Sequence, residues 1–156
     1  FARHGGLRKG DHQIEGINSR LDGLQAAILS VKLPHLPAWT QRRRELAAEL
    51  SRRLDQIPGV SVPEVAPGRN PVWHLYVVRH EQRDALARHL SRRGIQTVIN
   101  YPVALPFLPA YSRLNHQPAD FPVAHSHQSR ILSLPIFPEM TLAHLDAVEL
   151  AIREFA

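Results

Sequence analysis

The chain has 156 residues, no cysteine, and 19 Lys+Arg against 14 Asp+Glu, a formal net charge of +5. Hydrophobic residues at 44% and charged residues at 21% are globular proportions, at a length that can bury a core, and they exclude wholesale disorder. The lack of cysteine excludes a disulfide scaffold, a thiol nucleophile and Cys-ligated metal sites, and no apolar run approaches the ~18 residues that span a bilayer, so no membrane partner is expected.

Residues 1–17 hold four of the eight glycines and no apolar period, which predicts loop. Phe1 begins neither a signal peptide nor a chain with an initiator methionine, and the sequence reads as one entered midway. Ser19 and Asp22 have capping-box spacing, and Leu21, Leu24, Ile28 and Val31 follow at helical intervals. Ala26, Ala27, Leu29 and Leu33 widen the apolar stripe, so a helix over 19–33 is expected to be buried on more than one side, with Pro34 and Pro37 breaking or kinking it. Trp39, Leu46, Leu50, Leu54 and Ile57 predict a second, amphipathic helix over 38–57, stopped by Pro58 and Gly59.

Residues 60–62 suit a short edge strand and 63–71 a proline-rich loop. Residues 72–78 are β-branched and aromatic and predict a central strand, in which His74 and Tyr76 would be half-buried. A helix over 81–93 is stopped by Gly94, and 95–99 returns as a strand. Residues 102–122 carry five prolines and no period, and a loop this long in a compact domain is usually functional. A short helix over 123–131, a strand over 131–136 and a last helix capped by Thr141 complete an α+β layout, with one small sheet of about three strands packed with helices.

The basic excess lies in residues 1–58, which carry ten Arg+Lys against six acids; residues 59–156 carry nine against eight. Arg42, Arg43, Arg44, Arg52 and Arg53 share the second helix with Glu45, Glu49 and Asp55, the pattern of a solvated face. No aromatic residues interleave with them, which argues against a nucleic-acid partner. His125 and His127 are two apart and point apart on a helix, no His-x-x-x-His pair exists, and no metal site is expected. No nucleophile elbow, phosphate-binding loop or dinucleotide fingerprint is present, so no residue is assigned a catalytic role.

Two segments are candidates for binding. Gly16-Ile-Asn-Ser-Arg20 leads into a helix N-terminus, where free N–H groups and the macrodipole favour an anion and Asn18 and Arg20 can add to it; it also reads as a routine cap with a surface arginine. Asn100-Tyr101-Pro102 leaves a strand and opens the long loop, where an amide and a phenol either line a pocket or form a turn.

The run Gly16-Ile-Asn-Ser-Arg-Leu-Asp-Gly-Leu-Gln-Ala-Ala-Ile-Leu29 closely resembles a signature of the DegT/DnrJ/EryC1/StrS family of pyridoxal-phosphate sugar aminotransferases. The likeness continues in order through Trp39 and Arg42, Trp73-His-Leu-Tyr-Val-Val-Arg79, Gly94-Ile-Gln-Thr, Tyr101-Pro102, Pro109-Ala-Tyr111 and Leu132-Ser-Leu-Pro-Ile136. It implies the small C-terminal domain of a fold-type-I aminotransferase over 34–156, with a mainly antiparallel sheet, preceded over 1–33 by the tail of the large cofactor-binding domain. The implied enzyme is a cytoplasmic homodimer that aminates nucleotide-linked keto-deoxysugars with glutamate as donor.

By the same resemblance, Asn18 reaches the cofactor phosphate in the partner subunit's site with Arg20 close by, and Asn100 and Tyr101 lie near the sugar. Many members carry His-Tyr-Pro where Asn100-Tyr101-Pro102 stands. Neither Lys9 nor Lys32 matches the family's Schiff-base lysine, so pyridoxal phosphate is not expected to be held covalently by this chain, nor the chain to transaminate alone. The alternative reading is a free-standing interaction or regulatory fragment that associates through helix 19–33.

Overall fold

The computed structural model describes residues 6–8, 11–12, 14–17 and 21–156, in two compact units, Phe1–Pro37 and Ala38–Ala156. In the first unit, the predicted loop contains an antiparallel strand pair, β1 (Gly6–Arg8) with β2 (Asp11–His12). Helix α1 spans Gly23–Lys32, four residues later than predicted, because Asp22 is the residue that caps it: its carboxylate accepts the Gln25 N–H at 2.7 Å. Ser19, the expected cap, lies outside the described residues. No residue of α1 is buried, and Leu24 is 73% exposed, against the expected burial on more than one side. The apolar stripe is present as predicted; what covers such a stripe is decided by tertiary packing, which the stripe itself does not report. A 3-10 turn at Leu33–His35 carries Pro34.

Helix α2 (Leu36–Leu54) starts earlier than predicted because proline is tolerated in a first helical turn, where Pro37 sits. In the second unit it packs Leu46, Ala47, Leu50 and Leu54 into one core with Leu86 and Leu90 of α3 (Arg83–Arg92) and Leu145, Val148, Ala151 and Ile152 of α5 (Leu142–Arg153). The sheet supplies Tyr76, Val78, Leu132 and Leu134 to that core. Its ladder is antiparallel, as expected, but the expected three or so strands reduce to two, β3 (Tyr76–Arg79) and β4 (Ile131–Leu134), flanked by single bridges Ser61↔Arg79 and Val98↔Ser133.

The predicted strand over 72–78 is shortened for a visible reason. Trp73 sits in the left-handed region at φ 51°, which an extended strand does not allow. The carbonyls just before Tyr76 are taken by arginines of α2 instead of a neighbouring strand. Arg43 donates to Trp73 O at 3.1 Å and Ile136 O at 2.7 Å, Arg44 Nε to Pro71 O at 3.1 Å, and Arg42 to Met140 O at 2.9 Å. Arg42, Arg43 and Arg44 therefore clamp two loops to α2, whereas Arg52, paired with Glu49 and exposed, keeps to the solvated face the composition suggested. Tyr76 is fully buried, its hydroxyl 2.9 Å from Ser51 Oγ, whereas His74 is exposed, so neither is half-buried. Burial pushes the Tyr76 phenol up to about 12.

The stop at Gly94 is as predicted: with φ +74° it lets its own N–H reach Ser91 O (3.0 Å) and the Ile95 N–H reach Leu90 O (2.9 Å), the Schellman pattern. Of the strand expected over 95–99, the bridge at Val98 remains. The long proline-rich loop is organised as three 3-10 turns, Leu105–Phe107, Pro109–Leu114 and Pro118–Asp120, each with a proline in its first two positions. Helix α4 (Pro122–Gln128) then leads into β4.

Candidate functional site

Register divides the side chains of the sheet between two faces. Tyr76 opposes Leu134 and Val78 opposes Leu132 on the core face, which leaves Val77, Arg79, Ile131 and Ser133 on the other. Val98 pairs with Ser133 and belongs to this second face, and so does Asn100 two residues on. Ser133 Oγ donates to Asn100 Oδ1 at 2.9 Å, with Ser133 itself only 5% exposed.

The segment 98–104 is fastened at both ends. Two backbone bonds tie Val98 to Ser133, at 2.8 and 3.2 Å, and the Ala104 N–H donates to Gln128 Oε1 at 2.8 Å. Gln128 is in turn held by Arg83, 6% exposed, whose Nη1 donates to the carbonyls of Ile131 (2.9 Å) and Gln128 (3.3 Å) while Nε bonds Asp84 at 2.6 Å. Between the two fastenings Tyr101 stands 73% exposed, after a cis Asn100–Tyr101 peptide. Beside it a cleft of about 440 Å³ is lined by Arg83, Pro102, Val103, Phe107, Pro118, His125, Gln128 and Ser129.

The two histidines have separate employment. His125 packs edge-on against Phe107, and His127 Nε2 accepts from Arg79 Nη1 at 3.0 Å. Among the described residues no three His, Cys, Asp or Glu converge as metal ligands, and no helix is long and apolar enough to cross a membrane.

The structure thus places Asn100 and Tyr101 just after the bridge at Val98, beside a mostly apolar cleft. An oriented amide, an exposed phenol and aromatic surface suit a hydroxylated ring: they hydrogen-bond and pack, and they do not attack. Asn18 and Arg20 lie outside the described residues. Lys32 stands exposed in the last turn of α1. Sequence reasoning missed Ser133, Gln128 and Arg83 as supports of the loop. Ser133 carried a signal, a polar residue inside an apolar strand, but its partner is decided by the pairing of residues distant in sequence.

Comparison with known proteins gives this geometry a setting. Over 145 residues the chain is 45% identical to the "Erythromycin biosynthesis sensory transduction protein EryC1" of Saccharopolyspora erythraea, covering 93% of this chain and 40% of that protein. Over 153 residues it is 43% identical to a dTDP-3-amino-3,4,6-trideoxy-alpha-D-glucose transaminase of Streptomyces venezuelae, covering 98% and 40%. The crystal structure of S. venezuelae DesV in complex with a ketimine intermediate superposes with a TM-score of 0.88 at 41% identity, over 99% of this chain and 42% of that one. The chain spans about 40% of the length of these relatives. The DegT/DnrJ/EryC1/StrS aminotransferase family model matches residues 1–153, and the chain belongs to that family.

Proposed function

We propose that this chain is the small C-terminal domain, over 34–156, and the adjoining tail of the large domain, over 1–33, of a fold-type-I aminotransferase that aminates nucleotide-linked keto-deoxysugars. The observation that carries the reading is the likeness to DesV over 99% of the chain at 41% identity. The reading includes a cytoplasmic homodimer, glutamate as amino donor and pyridoxal phosphate as cofactor, which when bound supplies the electron sink for amino-group transfer. Asn18 and Arg20 would meet the cofactor phosphate of the partner subunit, as a polar donor and a formal cation suited to an anion.

The described residues act on the sugar side. The loop 98–104 presents the Tyr101 phenol and the Asn100 amide to the substrate ring, and the fastenings to Ser133 and Gln128 hold the amide and the loop backbone in place before the ligand arrives, so less ordering remains to be done on binding.

The test is glutamate-dependent amination, in the full chain that the gene encodes, of a panel of dTDP- and UDP-linked 3-keto and 4-keto sugars, followed by 2-oxoglutarate release. No turnover with any of them refutes the reading. The 156-residue chain alone is expected not to transaminate; borohydride reduction after incubation with pyridoxal phosphate should leave no pyridoxyl label on Lys9 or Lys32 beyond that of a denatured control. A second reading, association of this chain as an interaction module, is favoured by the exposed stripe of α1, and a concentration-independent monomer in sedimentation refutes it.

A further inference from the structure

We infer that Ser133 is a positioning residue of the sugar site, holding the Asn100 carboxamide in one place so that its other arm is free for the ligand. The inference rests on the sugar-site reading above and adds a positioning residue to it.

Ser133 is a poor choice for its place on packing grounds alone. It interrupts an apolar strand whose neighbours Leu132 and Leu134 are in the core, and it is buried. A buried hydroxyl left without a partner is destabilising, so its partner matters. That partner is the carboxamide of Asn100, with Oγ donating to Oδ1 at 2.9 Å.

The consequence follows from the inventory of the amide. Asparagine carries an acceptor oxygen and a two-proton donor nitrogen on opposite arms, and with nothing to hold it the group can present either. With one arm engaged by Ser133, the other has no protein partner among the described residues and stays free for a ligand. The backbone of residue 100 cannot drift away, because Val98 is tied to the same Ser133 by two main-chain bonds. One residue of β4 thus holds the segment at Val98 through its backbone and the recognition group through its side chain. The site therefore offers one fixed amide arm next in sequence to the exposed Tyr101, which is suited to an oxygen of a sugar ring.

The experiment compares Ser133→Ala, Asn100→Ala and the double variant with the wild type in the full encoded chain, loaded with pyridoxal phosphate. KM for the nucleotide-linked keto sugar is measured separately from KM for glutamate and from kcat. Hydrogen exchange over residues 98–104 is the readout independent of activity. Ser133→Ala is expected to raise the sugar KM about three- to ten-fold, the worth of one neutral hydrogen bond, with the glutamate KM unchanged and faster exchange over 98–104. The double variant is expected to be no worse than Asn100→Ala alone, since both act through one group.

A raised sugar KM in Asn100→Ala with none in Ser133→Ala overturns the inference and leaves the sugar-site reading standing. An unchanged sugar KM in both variants overturns the placement of the sugar at Asn100 and the inference with it. A parallel rise in both KM values, or additive effects in the double variant, assigns Ser133 a structural role and overturns the inference. A wild type inactive on nucleotide-linked sugars overturns the functional reading and the inference together, while the exchange data still report on the contact itself.

Discussion

Arg83→Ala removes the support on which the far end of the site loop rests. Arg83 is 6% exposed and serves three acceptors: Ile131 O at 2.9 Å, Gln128 O at 3.3 Å and the Asp84 carboxylate at 2.6 Å. Asp84 is itself 67% exposed and regains water when the guanidinium leaves, so its share of the loss is small, below about 1 kcal/mol. The two carbonyls differ. Ile131 O loses a short, charge-assisted bond, at about 1.5–3 kcal/mol, and Gln128 O a longer one, at about 0.5–1 kcal/mol. Truncation of the buried stem removes further packing, and the sum is roughly 3–4 kcal/mol, a large share of a domain's stability.

The assay is urea denaturation followed by tryptophan fluorescence, with Asp84→Ala as the control that should cost less than about 1 kcal/mol. Local exchange gives a second reading, because the Ala104 amide hangs from Gln128 and should lose protection in Arg83→Ala. A loss below about 1 kcal/mol, or equal losses in the two variants, would refute the assignment of Arg83 as the tie between α3 and the α4–β4 junction.

Three further predictions concern the rest of the second unit. Glu49 accepts from both Arg52 and Arg53, whose hydrogen bonds hold its carboxyl down at about 2 against an unperturbed 4.5. Its stabilising effect is present above pH 4.5 and fades as pH falls towards 2, so Glu49→Gln should flatten the acid limb of the stability curve in that window while leaving the neutral-to-alkaline slope alone. Tyr76, with its phenol raised by burial to about 12, contributes stability that is complete below pH 10 and is lost as pH rises towards 12. Tyr76→Phe should remove that alkaline slope in pH-dependent denaturation and cost about 0.5–1.5 kcal/mol at neutral pH through the lost bond to Ser51. Gly94→Ala meets no steric neighbour, so its cost should be the left-handed φ alone, about 1–2 kcal/mol, read as a lowered Tm.

The candidate site shows where legibility stopped. Asn100 and Tyr101 were visible as a polar pair at the exit of an apolar run, because strand ends that open long loops are where side chains can face a ligand. Their supports were not visible. Ser133 is 33 residues from Asn100, Gln128 is 24 from Ala104, and Arg83 is 48 from Ile131. The arginine run of α2 was misread for the same reason. Its neighbours in sequence are acids and it looks solvated, yet Arg42 and Arg43 find acceptors at Met140 and Ile136 across the fold.

What the sequence determined by itself was local. The helix stop at Gly94, the cap at Thr141 and the apolar faces of α2, α3 and α5 follow from backbone conformational preference and periodicity, which act within a few residues. The family signature was equally legible, being a string of residue identities. Tertiary structure decided how far the strands run: the carbonyls of Pro71 and Trp73 are taken by arginines of α2 instead of a neighbouring strand, and the segments at Ser61 and Val98 pair through single bridges. It also decided where the Asn100 amide is held, by a hydroxyl that only strand pairing brings within 2.9 Å.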